Sequence, residues 1–176
     1  MTDGPRIYVA SLSDYNAGRL HGVWIDATQD AEDIQEAVTA MLTESREPNA
    51  EEWAIHDYEG FHGLKLGEWE SFEKVSELGR LIEEHGGAYA AYVANEGTDY
   101  ATAEGFEESY AGEWSSVEEY AADLVEEGIM GEEIRKANDE HPGWVDMEQI
   151  ARDLVIGGDI WTADNHDGGI WVFRSI

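Results

Sequence analysis

Alternating apolar and polar positions at the start of the chain predict a pair of β-strands. The segments RIYVASL (6–12) and RLHGVWID (19–26) flank the turn-rich sequence SDYNAG, as in antiparallel strand pairs. Apolar residues then recur at helical spacing over 31–45, and Asp30 is placed to cap that helix. A third strand is predicted over 51–60. These elements together predict a small α+β domain.

Helical spacing returns in the second half of the chain. Ser116 and Glu119 form a Ser-x-x-Glu capping box ahead of an apolar stripe. The residues of that stripe are Val117, Tyr120, Ala121, Leu124 and Val125. Another helix is predicted from about Gly131 to a point before Pro142, because proline disfavours helix in the residue before it. A last helix is predicted to begin at Asp146, where Gln149 completes a similar cap.

A β-hairpin is predicted at the end of the chain, where DIWTA and GIWVFRSI flank the turn DNHDGG.

The middle of the chain also contains a weak repeat. EGF occurs at 59–61 and 104–106, GEW occurs at 67–69 and 112–114, and each copy precedes a predicted helix that ends in L-[IV]-E-E. Coincidence and a duplicated loop-and-acidic-helix module both explain this repeat.

The composition indicates a folded protein without a membrane span. Of its 176 residues 42% are hydrophobic, with seven Trp and eight Tyr, whereas disordered acidic segments have few aromatics. The apolar runs are far shorter than a transmembrane helix, and no secretory signal pattern opens the chain. The chain has no cysteine, which excludes disulfides and thiolate metal sites and fits a cytoplasmic protein.

Charge is the most unusual property of the chain. Forty acidic residues against ten basic ones give a net charge of −30. From Leu81 to Ile134 there are fifteen acidic residues and no Lys or Arg. Ordinary nucleic-acid binding needs basic residues that displace counterions, so we expect no direct binding to nucleic acid. Relief of the repulsion in this segment is expected from distance, solvent, ions or a basic partner.

No motif for catalysis or for cofactor binding is complete. Carboxylates are so common that pairs of them do not identify an acid–base couple. The DNHDGG loop has His166 at the third calcium-ligand position and no Glu at the twelfth, so it is predicted to be a turn. His56 and Asp57 are strand neighbours that point to opposite faces, and with His62 they make a weak metal candidate. We therefore predict no catalytic residue, no metal and no cofactor.

The charge is compatible with imitation of DNA. B-form DNA carries about two negative charges per base pair, or one per ~1.7 Å of axis. A net charge of −30 matches about 15 base pairs over about 50 Å, and a dimer would match about 30 base pairs. Acidic residues three or four positions apart on a helix are ~5–6 Å apart, which is similar in scale to successive phosphates.

Several segments resemble the ArdA antirestriction family, in the same order along the chain. They are IYVASLSDYNAGRLHGVWID (7–26), EEWAIHDYEGF (51–61), FEESYAGEWSSVEEYA (106–121), DMEQIARDL (146–154) and GDIWTADNHDGGIWVFR (158–174). The resemblance implies an elongated α+β chain of three small domains with short antiparallel sheets and acidic helices. It implies a homodimer joined through the C-terminal domain. It further implies mimicry of bent B-form DNA, an origin on mobile genetic elements, and occupation of the DNA groove of type I restriction–modification enzymes.

Placed on this sequence, the resemblance implies an N-terminal α+β domain (1–61), a central, mainly helical domain (62–105) and a C-terminal α+β domain (106–176). The family has no catalytic residues to transfer, so only acidic residues in matching segments are candidates for phosphate mimics. The first group is Glu104, Glu107, Glu108, Glu113, Glu118, Glu119, Asp123, Glu126 and Glu127. The second, central group is Glu68, Glu70, Glu73 and Glu77, where Lys65, Lys74 and Arg80 interrupt the negative charge.

Two other classes of function remain open at this level. A haloadapted globular domain with a metabolic or stress role would explain acidic residues that only retain water. Such a domain should spread its acidic residues evenly, whereas here bases are absent from 54 consecutive residues. A calcium- or metal-responsive enzyme is the third class, and it lacks a complete set of ligands.

Overall fold

The computed structural model describes residues 4–176, and the chain contacts group into two compact units, Met1–Tyr100 and Ala101–Ile176. Eight helices and two three-stranded antiparallel sheets lie within the described residues. The predicted α+β class is confirmed. The division into three domains, with boundaries after residues 61 and 105, stays a prediction.

The first unit combines a sheet with helices on the strand connections and after the last strand. Its elements are β1 (Arg6–Ser11), α1 (Leu12–Asn16), β2 (Gly22–Asp26), α2 (Ala31–Thr43), β3 (Trp53–Glu59), α3 (Phe72–His85) and α4 (Gly87–Glu96). The strand order is β2-β1-β3, with Ile7 opposite Ile25 on one side and Tyr58 on the other. The three predicted strands are therefore present, and the helix predicted over 31–45 is present as α2.

Two local details of this unit differ from the sequence prediction. The first four residues of the predicted turn SDYNAG belong to the short helix α1, which the Ser11 hydroxyl caps by accepting a bond from the Asp14 amide. Asp30 lies at the N-cap position of α2, but its side chain makes no capping bond and instead pairs with Arg80 of α3. A long-range ion pair has replaced the expected local cap.

Close approach of the backbone fixes α3 against the loop between β2 and α2. Gly79 is buried on α3, and a Cβ atom there would meet the Ala27 carbonyl group, 2.7 Å from its carbon. Ser76 donates a hydrogen bond of 2.6 Å to the Gln29 carbonyl in the same loop. The glycine therefore permits a contact between helix and loop that any larger residue would block.

The second unit places helices over another sheet. Its elements are α5 (Ala103–Ser109), β4 (Tyr110–Trp114), α6 (Val117–Glu126), α7 (Glu132–Glu140), α8 (Met147–Ile156), β5 (Ile160–Asn165) and β6 (Gly169–Arg174). The strand order is β4-β6-β5. The predicted hairpin is confirmed, with Trp161 opposite Phe173 and Asn165 opposite Gly169. Tyr120 from α6 packs with Ile160 and Val172 in the core of this unit.

The sequence prediction omitted α4, α5 and β4, and the repeat is not preserved in the structure. The EGF copies lie at the end of β3 and within α5, and the GEW copies lie in a loop and in β4. Only the helices that come after the two copies, α3 and α6, correspond to each other, so the duplicated-module explanation of the repeat is not supported.

Among residues 4–176, no helix has the length and apolar character needed to cross a bilayer.

Candidate acidic interaction surface

Helix α6 carries the densest group of predicted mimic residues. Its buried face contains Tyr120, Ala121 and Val125, which turns Glu118 and Glu126 to the exposed side. Five carboxylates fall on residues 118–127, a helical length of about 14 Å at 1.5 Å per residue. That is one charge per about 3 Å, between the values of about 3.4 Å for one DNA strand and 1.7 Å for the duplex.

Glu119 has a structural task within this group. The Ser116 hydroxyl accepts a bond of 3.1 Å from the Glu119 amide, as the capping box predicted. The Glu119 carboxylate, however, reaches back to Ser115, accepting its amide at 2.8 Å and its hydroxyl at 2.7 Å. These bonds favour the ionised carboxylate, so the backbone bond first and the hydroxyl bond second lower the pKa of Glu119.

Helix α5 presents a smaller group next to the sheet. Phe106 is buried and stacks on Tyr110 with ring centroids 4.9 Å apart, while Glu107 and Glu108 are exposed. Arg174 of β6 donates a hydrogen bond of 3.2 Å to the Glu108 carbonyl. A base from outside the base-free stretch therefore contacts α5, which is a source of electrostatic relief that the sequence did not indicate.

Glu113 of β4 is the second residue of the first group with an internal partner. Its carboxylate accepts a hydrogen bond from the side-chain amide of Asn165, which is buried at the end of β5. The bond links the two outer strands of the second sheet near the hairpin turn. Glu113 therefore supports the fold in addition to carrying charge.

The central group is less uniform. Glu68 and Glu73 are exposed, Glu70 accepts a bond of 3.3 Å from the Gly67 amide, and Glu77 lies 3.6 Å from the Lys74 ammonium group.

Of all thirteen predicted mimic residues, nine have no side-chain hydrogen bond or ion pair within residues 4–176. These nine are Glu68, Glu73, Glu104, Glu107, Glu108, Glu118, Asp123, Glu126 and Glu127.

Most bases are paired within their own unit, where they neutralise acidic residues. Arg6 on β1 bonds to Glu59 on β3 at 2.6 Å and lies over the Trp24 ring. The other ion pairs join Arg19 to Asp14 and Glu47, Lys74 to Glu77, Arg80 to Asp30, Arg135 to Glu132 and Asp139, and Arg152 to Glu148. Lys74 and Arg80, which interrupt the central charge in the sequence, thus have acidic partners.

The structure also brings together acidic residues that sequence reasoning did not select. The α2–α3 groove lies at the first turns of α2 and α3 and has a volume of 520 Å³. Its lining includes Glu32, Glu36, Glu73, Trp53 and Phe72. Only Glu73 belongs to the predicted set, because no local pattern indicates that residues 40 positions apart share a groove.

The weak metal candidates have other roles in the structure. Asn165 accepts bonds of 3.0 Å from the Asp167 and Gly169 amides, so its side chain organises the hairpin turn. His56 packs edge-on against Tyr15. Within the described part of the chain, no three His, Asp or Glu side chains are grouped to hold a metal ion.

The family model described as antirestriction protein (ArdA) matches residues 7–166 of the chain. No curated protein matches it. The family match covers every described helix and the strands β1 to β5 apart from Arg6, whereas β6 lies beyond its end.

Proposed function

Because the chain belongs to the ArdA antirestriction family, whose function is inhibition of restriction–modification systems, we propose that it acts as a mimic of B-form DNA. The mimic occupies the DNA-binding groove of a type I restriction–modification enzyme. Its carboxylates take the places of phosphates and pair with the Lys and Arg residues that otherwise hold DNA. It is an inhibitor that binds and blocks, with no catalytic residue, metal or cofactor.

The observation that carries this proposal is the unpaired state of the acidic residues on α5 and α6. Glu104, Glu107, Glu118 and Glu126 are exposed, and no Lys or Arg among residues 4–176 pairs with their carboxylates. Most bases of the chain are engaged elsewhere. A haloadapted surface has no reason to segregate charge in this way. An elongated arrangement of the domains would extend the charged path along the partner's groove.

We also propose that two copies associate through the C-terminal region. The apolar strands of the C-terminal hairpin do not offer the whole contact, because Ile160, Val172 and Phe173 are buried within the unit. Other apolar residues of the second unit support association better, since Trp144 and Ile156 are 74% and 77% exposed. Large exposed apolar groups on a soluble domain favour contact with another protein surface.

Titration of a purified type I enzyme tests the inhibitory mechanism. Unmodified DNA, enzyme and increasing amounts of this protein are mixed, and both cleavage and binding to the modification core are measured. We expect inhibition that saturates near one mimic per DNA-binding site, that competes with DNA and that weakens steeply with salt. Full inhibition at a hundredfold lower dose than enzyme indicates turnover and contradicts the proposal.

A further inference from the structure

The α2–α3 groove differs from the rest of the acidic surface because it has an aromatic floor. Trp53 and Phe72 stack with ring centroids 4.4 Å apart and an angle of 25° between the planes. Phe72 is buried and Trp53 is half-buried. Glu32 and Glu36, one turn apart on α2, and Glu73 on α3 add exposed carboxylates to the lining. Apolar surface and negative charge therefore line one concave site.

The charge balance of this groove favours a cation. Each of the two helix N-termini contributes about +0.5 of an elementary charge, or about +1 together. Glu32, Glu36 and Glu73 contribute −3, so the net charge is about −2. No Lys or Arg is among the described residues that line the groove, and Lys74, next along α3, lies 3.6 Å from Glu77. The three carboxylates thus outweigh the helix ends and keep their charge available.

The aromatic floor selects among cations. A strongly hydrated metal ion gains little from Trp53 and Phe72, and its ligands would have to replace its water. A guanidinium group is planar, weakly hydrated and able to stack on aromatic rings, and it binds carboxylates in a bidentate manner. Its methylene stem can also pack on apolar surface while the head stays among the carboxylates. The groove volume of 520 Å³ suits a side chain better than a lone ion.

We propose that the α2–α3 groove receives an arginine side chain from the DNA-contacting surface of the protein that this chain inhibits. The proposal rests on the proposed function, since that function supplies a partner surface rich in Lys and Arg. It adds a localised anchor to a surface whose other contacts are distributed. Buried, well-packed anchors of this kind usually carry more binding energy than exposed charge pairs.

Two variants of equal charge test the anchor. The groove variant is E32Q/E36Q/E73Q. The control D33N/E44Q/E84Q changes three exposed acidic residues that do not line the groove, two of them on the same helices and Glu44 at the C-cap of α2. Circular dichroism first establishes that both variants fold. We expect the groove variant to bind a type I modification core at least tenfold more weakly than the control variant. Equal affinities of the two variants overturn the proposal.

A peptide titration tests, without the enzyme, whether the α2–α3 groove prefers arginine. The Trp53 indole N–H resonance is followed by NMR as a glycine–arginine–glycine peptide is added, with citrulline or lysine replacing arginine in parallel samples. We expect the arginine peptide to change the chemical shift of this resonance in a saturable way, by at least twice the change that either replacement peptide causes. In the variant E32Q/E36Q/E73Q we expect no such change. Equal shifts with citrulline, or with lysine, contradict the arginine assignment. Failure of wild type to bind the modification core instead refutes the proposed function, whatever the peptides show.

Discussion

Neutralising α6 without disturbing its cap is the sharpest test of phosphate mimicry. The variant E118Q/D123N/E126Q/E127Q removes four charges from the helix and its C-cap, and it retains Glu119, whose carboxylate bonds to Ser115. The substitutions keep the size of each side chain. They also remove like charges near the C-terminal end of α6, where the helix dipole disfavours them. We therefore expect α6 to stay folded in this variant.

The expected loss of affinity follows from the exposure of these groups. An exposed ion pair contributes about 0.2–1 kcal/mol, so four pairs contribute roughly 1–4 kcal/mol if each carboxylate meets one base. That range corresponds to a loss of about fivefold to several hundredfold in affinity. Any single substitution in the set should cost less than about 1 kcal/mol. The slope of affinity against salt should also fall, because fewer charges are neutralised on binding.

Affinity for a type I modification core is measured across a salt series for wild type, this variant and a control. The control E44Q/E51Q/E52Q/E84Q changes the net charge equally at exposed positions outside the predicted set. If the α6 variant and the control bind alike with the same salt slope, net charge is sufficient and α6 is not part of the mimic. If one substitution alone abolishes binding while the fold persists, a single hot spot replaces the distributed charge.

The remaining predictions concern a buried glycine, a capping carboxylate and the oligomeric state. Gly79→Ala should lower the free energy of unfolding by about 1 kcal/mol in denaturant titration. A clash with the rigid Ala27 carbonyl costs roughly 2 kcal/mol, the middle of the range for overpacking, and a gain in helix propensity of about 1 kcal/mol offsets half of that cost. Equal or higher stability of the variant refutes this prediction. The pKa of Glu119 is lowered in the folded protein, so its stabilisation is full above the ordinary value of 4.5 and is lost as pH falls through the folded-state value. Glu119→Gln should therefore lower the Tm at pH 7, and the Tm of this variant should converge with that of wild type in acid. Glu118→Gln, the control, should not lower the Tm at pH 7. Light scattering at micromolar concentration should give about 39 kDa, twice the 19.6 kDa of one chain, and a monomer contradicts the dimer.

Local sequence signals predicted the elements that local chemistry determines. The alternation in RIYVASL became β1, and the Ser116 cap became the start of α6. Pro142 lies beyond the end of α7, as expected. Asp30 shows the limit of such signals. Its partner Arg80 is 50 residues away in sequence, and the ion pair between them competes with the local cap. The strand β4 was missed because its ladder partner, β6, comes from the end of the chain.

The candidate surface was predictable in charge but not in detail. Counting acidic residues selected carboxylates that are exposed on α6 and on α5, although α5 itself was not predicted. It did not separate Glu113 and Glu119, which have internal partners, from Glu118, which has none within the described part of the chain. It also did not find the α2–α3 groove, because Trp53, Phe72 and Glu32 converge only through tertiary packing.

The second unit tolerates its acidic helices because its aromatic core and its charged surface are separate parts. A like-charged pair on a helix costs a few tenths of a kcal/mol, so several such pairs sum to about 1–2 kcal/mol. Burying one phenylalanine contributes about 1.5–3 kcal/mol, and both Phe106 and Phe173 are fully buried here. Phe173 also stacks on Trp161 with centroids 4.0 Å apart. The core therefore offsets the repulsion although no described base forms an ion pair with the carboxylates of α5 and α6, and the proposed function assigns these carboxylates to the bases of a partner.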